Sequence, residues 1–80
     1  MNTSASRDAE ALAVSVQFDA SAICVVLLDG REIKVPLAWF PKLQRATAAQ
    51  RKRWRLIGNG VGIHWSSVDE DLSVSALLSR

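Results

Sequence analysis

The chain has 80 residues and a formal net charge of +2, and 49% of its residues are hydrophobic. A domain of this size buries only about 60% of the surface that its unfolded chain exposes, which excludes a deep catalytic cleft. No apolar stretch approaches the roughly 20 residues of a membrane span, and the N-terminus lacks the basic and then apolar order of a signal peptide. We therefore expect a cytoplasmic protein, with a disordered N-terminal tail over residues 1–11 and a single small domain over residues 12–80.

The first half of the domain predicts a three-stranded antiparallel meander. Residues 14–18 alternate apolar and polar side chains, residues 23–28 are apolar throughout, and residues 32–37 alternate again. Period-two alternation is typical of a strand with one buried face. A short turn at residues 19–21 and the Asp29-Gly30 dipeptide join the strands, and glycine provides the positive φ that such a hairpin turn requires.

Two registers are compatible with the Asp29-Gly30 turn. A two-residue loop would set Val26 opposite Ile33. A three-residue loop over 29–31 would set Leu27 opposite Ile33 and would align three large apolar residues of each strand. We favour the three-residue loop for this reason, because a slip of one residue would reverse the two faces of the sheet.

Helical signals follow the meander. Pro41 suits the first turn of a helix, which we place at residues 38–46. Thr47 and Gln50 match a capping box and predict a second helix over 48–53. A final short helix with Ser73 as its N-cap is expected to end the chain. The side chains expected to cover one side of the sheet are Trp39, Phe40 and Leu43.

A second hairpin signal, Asn59-Gly60, lies between two tryptophans. A two-residue loop there would place Trp54 opposite Trp65 and Leu56 opposite Ile63. Residues 66–71 are polar and acidic, and we interpret them as a loop. The predicted fold class is therefore α+β: a three-stranded antiparallel meander plus a short β-ribbon, covered by two or three short helices.

A spaced set of motifs covers nearly everything after about residue 13. The set comprises Asp29-Gly30-Arg31, Val35-Pro36-Leu37, Phe40-Pro41, Gly62-Ile63-His64-Trp65 and Asp69-Glu70-Asp71-Leu72-Ser73-Val74 with Leu77-Leu78. This pattern resembles the small bacterial family catalogued as domain of unknown function 2442. The resemblance implies a compact α+β fold and no established chemistry. It also implies membership of two-gene units that suggest toxin-antitoxin pairs, although this chain has Ser66 where the family commonly has proline.

Basic residues are concentrated between the first helix and the second ribbon, beside Trp39 and Trp54. They are Lys42, Arg45, Arg51, Lys52, Arg53 and Arg55. Arginine and lysine neutralise phosphates and tryptophan stacks on bases, so this cluster is compatible with nucleic-acid binding. A solvated helical face is the plainer interpretation. The acidic run at residues 69–71 gives the domain a second, opposite charge and favours a protein partner over a phosphate backbone.

No group of residues predicts catalysis or metal binding. His64 could pair with Asp69 or Asp71 for proton transfer, but no activated nucleophile accompanies it, and we expect a structural histidine. Cys24 is interpreted as a small buried hydrophobe. One histidine and one cysteine fall short of the four ligands of a zinc site, and we predict no cofactor and no enzymatic activity.

The sequence therefore favours a non-enzymatic protein-interaction module, either a small regulator or an antitoxin-like partner. The first alternative is a phage or mobile-element inhibitor, anti-CRISPR-like, that binds a nucleoprotein complex. The second alternative is direct binding of nucleic acid through the basic cluster. Tryptophan and arginine most often anchor interfaces. The predicted partner-binding residues are Trp39, Lys42, Arg45, Arg51, Arg53, Trp54, Arg55 and Trp65.

Overall fold

The structure, a computed structural model, describes residues 11–79 and contains two antiparallel sheets. The first sheet has the order β1-β2-β3, with β1 at Ala13–Phe18, β2 at Ala22–Leu27 and β3 at Glu32–Pro36. The second has the order β4-β5-β6, with β4 at Trp54–Ile57, β5 at Gly62–Trp65 and β6 at Glu70–Ser73. The α+β class and the three-stranded meander are confirmed.

The helices are short. They are α1 at Pro41–Gln44, α2 at Ala48–Arg51 and α3 at Val74–Leu78, with 3-10 turns at Leu37–Trp39 and Gly58–Gly60. None of the helices within residues 11–79 has the length and hydropathy that a membrane-crossing helix requires. The predicted tail lies outside the described residues except for Ala11, which packs against the core.

The preferred register of the first hairpin is wrong by two residues. Val25 lies opposite Ile33, and the loop consists of residues 28–30 rather than 29–31. The amide of Gly30 donates to the carbonyl of Leu27 at 2.9 Å, and Gly30 has a φ of +95°. The last residue of the loop has a left-handed backbone conformation, which glycine adopts most readily. This requirement set the register, whereas the matching of large apolar side chains did not. A shift of two residues preserves the faces, so the apolar side chains still point inward.

The first strand carries an irregularity that exposes one of its valines. Ala13 pairs with Leu27 and Ser15 pairs with Val26, so Val14 is an extra residue in the ladder. A bulge of this kind turns the strand. Ala13 and Val16 consequently point into the core, while Val14, which was expected on the buried face, is exposed.

The second sheet contains a strand that the sequence did not predict. The pairing of Trp54 with Trp65 is confirmed, and Asn59, with a φ of 61°, lies in the loop that joins the two strands. The predicted acidic loop, however, becomes β6 from Glu70 onwards and pairs with β5. Asp69 has a φ of 55° and turns the chain back after the loop.

The predicted helices exist but are shorter than expected. Residues 38–46 do not form one helix, because Phe40 has a φ of −128° and a ψ of 81°, and a residue before proline disfavours the helical region. The capping box of Thr47 and Gln50 is confirmed at the start of α2. Ser73 is likewise confirmed as the N-cap of α3, because its hydroxyl accepts the amide of Ala76.

Both sheets contribute to one hydrophobic core. The largest fully buried side chains of the described residues are Ile23, Val25, Leu27, Leu43, Ile63, Trp65 and Val74. Phe40 packs at the margin of this core, but Trp39 is 45% exposed, so it does not cover the sheet as predicted. The two sheets meet where Gly60 approaches the backbone of Ala13 so closely that a Cβ atom on Gly60 would lie 2.4 Å from the Ala13 oxygen.

Candidate functional site

Trp65 lies inside the protein, not at its surface. Its side chain is fully buried, its indole nitrogen donates to the carbonyl of Arg51 at 3.0 Å, and its ring meets Phe18 edge to face at 6.1 Å. Because Trp65 faces the core from the central strand of the second sheet, a partner cannot reach it. The structure therefore removes Trp65 from the predicted contact residues.

Two cations of the basic cluster are committed to the fold. The Arg51 guanidinium donates to the carbonyl of Leu43 at 2.9 Å and to that of Gln44 at 2.8 Å, and it lies 5.5 Å from the ring centre of Phe18. It thereby closes the C-terminal end of α1, where carbonyl groups lack helical partners. Lys42 donates to the carbonyl of Asp69 at 3.0 Å. Both were predicted as contact residues, and both hold segments of the chain together.

The other four cations of the cluster point into solvent. They are Arg45, Lys52, Arg53 and Arg55. Within residues 11–79, none of these four side chains donates a hydrogen bond or joins an ion pair. Their charge is consequently available to a ligand, in contrast to that of Arg51.

Two of these exposed cations line a pocket of about 490 Å³ on the second sheet. We call it the arginine pocket, and its lining residues are Arg53, Trp54, Arg55, Ser66 and Ser67. Trp54 pairs with Trp65 in the ladder, so Arg55 projects from the opposite face of β4, and Arg53 directly precedes that strand. The half-buried Trp54 also lines a neighbouring groove of about 590 Å³, together with Phe18 and Ala48 among others.

A second candidate surface follows the outer side of β3. We call this depression of about 340 Å³ the edge groove, and its lining residues are Glu32, Ile33, Lys34, Val35, Trp39, Leu77 and Leu78. Trp39 and Leu78 are 45% and 46% exposed, so the groove has apolar side chains accessible to a partner. Trp39 is thus the predicted aromatic anchor that the structure places at an accessible surface of the first sheet.

The backbone of β3 is open along this groove. The amide of Leu27 donates to the carbonyl of Arg31, and the amide of Leu37 donates to the carbonyl of Ser21. Odd-numbered residues of β3 therefore direct their backbone groups toward β2, and Glu32 and Lys34 direct theirs outward. Because β3 is the edge strand of its sheet within the described part of the chain, these outward N–H and C=O groups face the groove.

His64 has a structural partner. It lies opposite Asp71 on the neighbouring strand, and its Nδ1 atom is hydrogen-bonded to the Asp71 carboxylate. This agrees with the prediction of a structural histidine. Within residues 11–79, no group of three or more histidine, cysteine, aspartate or glutamate side chains could hold a metal ion.

Cys24 differs from its prediction because it is only half buried. It points to the face of the first sheet that lies away from the core, where its sulfur is 3.5 Å from the Glu32 carboxylate. Partial burial, followed by the hydrogen bond to Glu32, raises the pKa of the Cys24 thiol. A raised pKa keeps the sulfur protonated at neutral pH and makes it a poor nucleophile.

Comparison with known proteins gives a family and two solved folds. A family model described as "Protein of unknown function (DUF2442)" matches residues 13–80. No curated protein matches the chain. A crystal structure of a protein of unknown function from Rhodospirillum rubrum is 28% identical, with a TM-score of 0.73, over 88% of this chain and 87% of that chain. A solution structure of an uncharacterized protein from Chromobacterium violaceum is 26% identical, with a TM-score of 0.73, over 94% of this chain and 70% of that one.

Proposed function

This chain belongs to the family described as "Protein of unknown function (DUF2442)", and on that premise we propose a non-enzymatic protein-interaction module that holds an extended segment of a partner protein along β3. The observation that carries the proposal is the edge groove, in which outward backbone groups and exposed apolar side chains lie together. Addition of a peptide strand to an open sheet edge is a common mode of recognition. Backbone hydrogen bonds provide affinity, and side-chain pockets provide specificity.

The chemistry of the groove restricts the partner segment. Glu32 and Lys34 are exposed and of opposite charge, so a segment with a basic residue opposite Glu32 and an acidic residue opposite Lys34 fits best. Apolar residues of the same segment would contact Trp39 and Leu78. Pro36 ends the open edge because proline has no N–H to donate. The bound strand is therefore short, and we expect a transient complex rather than an obligate one.

The proposal is tested with a phage-displayed library of random linear peptides selected against the purified domain. Selected peptides should shift the backbone amide signals of Glu32 and Lys34 in NMR spectra. Leu78→Ser should weaken binding by about tenfold, because exposed leucine anchors such grooves through buried area. Leu28→Ser is the matched control. Leu28 is 68% exposed at the tip of the first hairpin, outside the groove, and its substitution should leave affinity unchanged.

A backbone variant separates strand addition from simple apolar contact. Lys34→Pro removes one outward N–H group while leaving the bonds from Ile33 and Val35 to β2 in place, since edge positions tolerate proline. We expect Lys34→Pro to abolish peptide binding and Lys34→Ala to retain it. Thermal melting of both variants checks that the domain is folded. Equal binding by the two variants, or selected peptides whose shifts lie elsewhere, would contradict the proposal.

Self-association is a distinct outcome of the same test. If two copies pair antiparallel through β3 with Lys34 of one copy opposite Glu32 of the other, the same charge pattern is satisfied. Sedimentation velocity at increasing protein concentration detects this dimer. A dimer that Lys34→Pro dissociates, combined with a failure to select any peptide, would replace the proposed partner protein with a second copy.

A further inference from the structure

We propose that the arginine pocket binds a nucleoside phosphate, with the phosphate at Arg53 and Arg55 and the base against Trp54. The pocket is separate from the edge groove, which lies on the first sheet. The inference is therefore independent of the proposed docking of a partner segment. Of the predicted basic cluster, the proposal assigns Arg53 and Arg55 to a site whose lining residues are known.

The side chains that line the pocket include several hydrogen-bond donors and no negatively charged group that would compete with a bound anion. Two guanidinium groups and the hydroxyls of Ser66 and Ser67 line it, and no carboxylate is among the lining side chains. Within residues 11–79, neither Arg53 nor Arg55 uses its side chain for an internal hydrogen bond. A guanidinium group binds phosphate oxygens in a two-pronged geometry, so a phosphate is the ligand group that matches this lining.

Strand geometry holds the two arginines in position. They flank Trp54, with Arg53 directly before β4 and Arg55 within it, and Ser66 directly follows Trp65, the partner of Trp54 in the ladder. Alternate residues of a strand share a face at a spacing of about 6.8 Å, or two rises of about 3.4 Å. Two guanidinium groups at this spacing can both contact one phosphate, or each can contact one of two successive phosphates in a nucleic-acid chain.

The size of the pocket and its tryptophan indicate more than a bare phosphate. Its volume of about 490 Å³ lies within the range of sites for organic ligands. Trp54 is half buried and also lines the adjacent groove, where Phe18 and Ala48 provide apolar surface and Lys52 provides a further charge. Within the described residues β4 is an edge strand of the second sheet, so a planar base can contact the indole ring around that edge while its phosphate remains at the arginines on the other face. A purely acidic peptide would leave this aromatic surface unused.

The nucleoside phosphate could belong to a free mononucleotide or to single-stranded nucleic acid, and the test has an arm for each. The mononucleotide arm titrates the domain with adenosine monophosphate and follows the indole signal of Trp54 by NMR. The nucleic-acid arm measures fluorescence anisotropy of a labelled oligothymidine of about 10 nucleotides, which lies within the range of about 4–16 nucleotides that a small single-strand-binding domain covers. Inorganic phosphate and heparin are titrated in parallel, because they present anions without a base.

Two double variants with the same charge change test the location of the site. Arg53→Gln with Arg55→Gln removes the pocket cations, whereas Arg31→Gln with Arg45→Gln removes two exposed cations that line neither the arginine pocket nor the edge groove. We expect the first pair to weaken binding by about tenfold or more and the second pair by less than about threefold. The slope of log affinity against log salt concentration for oligothymidine should become shallower by about 1.4 in the first pair. This corresponds to about 0.7 for each lost phosphate contact.

Either arm alone supports the proposal if Trp54→Leu also weakens binding in a protein that still melts cooperatively. Four results overturn it: no binding of either nucleotide ligand at low salt, heparin or phosphate bound as tightly as the nucleotide, equal losses for the two double variants, or signals that shift away from Trp54. Tight binding of an acidic peptide in competition with the nucleotide would assign the pocket to a protein ligand instead.

Discussion

The indole nitrogen of Trp65 donates a hydrogen bond to the carbonyl oxygen of Arg51 across 3.0 Å, and this contact attaches the centre of the second sheet to the end of α2. Trp65 is fully buried, so the bond lies away from water. Trp65→Phe would leave the carbonyl without its partner and open a small cavity. We expect a loss of roughly 2–4 kcal/mol in the free energy of unfolding, measured by urea denaturation.

Trp54→Phe is the matched control for this substitution. Trp54 is only half buried, and its indole nitrogen makes no hydrogen bond within the described residues. We expect Trp54→Phe to lower the free energy of unfolding by about 1 kcal/mol or less. Similar losses for the two tryptophans would show that the Arg51 carbonyl contributes nothing measurable.

Neighbouring cations should differ sharply in their effect on stability. Arg51→Ala removes two hydrogen bonds to backbone carbonyls and should lower the free energy of unfolding by about 2–3 kcal/mol, since bonds to charged groups are the stronger class. Lys52→Ala should change it by less than about 0.5 kcal/mol. Arg51→Lys keeps the charge but cannot reproduce the two-pronged geometry, so we expect an intermediate loss. If Arg51→Lys equals wild type in urea denaturation, charge alone accounts for the role of Arg51.

The close approach of Gly60 to Ala13 predicts that the stability of the domain depends strongly on this glycine. Gly60 has a φ of +111°, and an added Cβ atom would lie 2.4 Å from the Ala13 oxygen. Gly60→Ala should therefore destabilise the domain by more than about 3 kcal/mol, because it combines strain with a backbone clash. Gly30 also has a positive φ, but an added Cβ atom there would meet open space. Gly30→Ala should therefore lower the free energy of unfolding by only about 1–2 kcal/mol. Thermal melting that ranks the two variants in the opposite order would contradict the role assigned to Gly60.

The turn between β1 and β2 predicts a specific response to acid. Hydrogen bonds from the backbone amides of Ser21 and Ala22, with a smaller contribution from Lys34, hold the pKa of Asp19 below its ordinary value of 3.8. A lowered folded-state pKa means that the unfolded chain binds more protons, so stability rises with pH across this range. The contribution is fully present above the ordinary pKa and disappears as pH falls through the folded-state value.

Asp19→Asn tests this contribution because the amide oxygen can still accept both backbone bonds without a negative charge. Wild type should be the more stable protein near neutral pH, and the two stabilities should converge below the folded-state pKa. Urea denaturation from about pH 5 to about pH 2 measures the convergence. A constant difference between the two proteins over this range would assign the effect to shape rather than to ionisation.

Features set by neighbours in the sequence were predictable. The capping box of Thr47 and Gln50 joins residues three apart, and the Asn59-Gly60 turn fixes the pairing of Trp54 with Trp65. Both depend on backbone geometry that a few residues determine. The register of the first hairpin was also local in origin, but the prediction gave more weight to apolar matching than to the position of glycine.

Features set by distant segments were not predictable. The segment of β6, Glu-Asp-Leu-Ser, has little intrinsic preference for a strand and becomes one because β5 offers an open edge. Residue type likewise could not separate Arg51 from Arg53, because the carbonyl partners of Arg51 lie at the end of another helix. The interior position of Trp65 did have a signal: it shares the face of Ile63, two residues before it in β5.

The hydrogen bonds of Arg51 to the end of α1 mark a boundary within the basic segment. After Arg51, the side chains of Lys52, Arg53 and Arg55 face solvent and make no hydrogen bond or ion pair within the described chain. Those three positions can therefore be randomised as a set without repacking anything. A library restricted to them offers a route to domains of identical shape that discriminate among ligands of different charge.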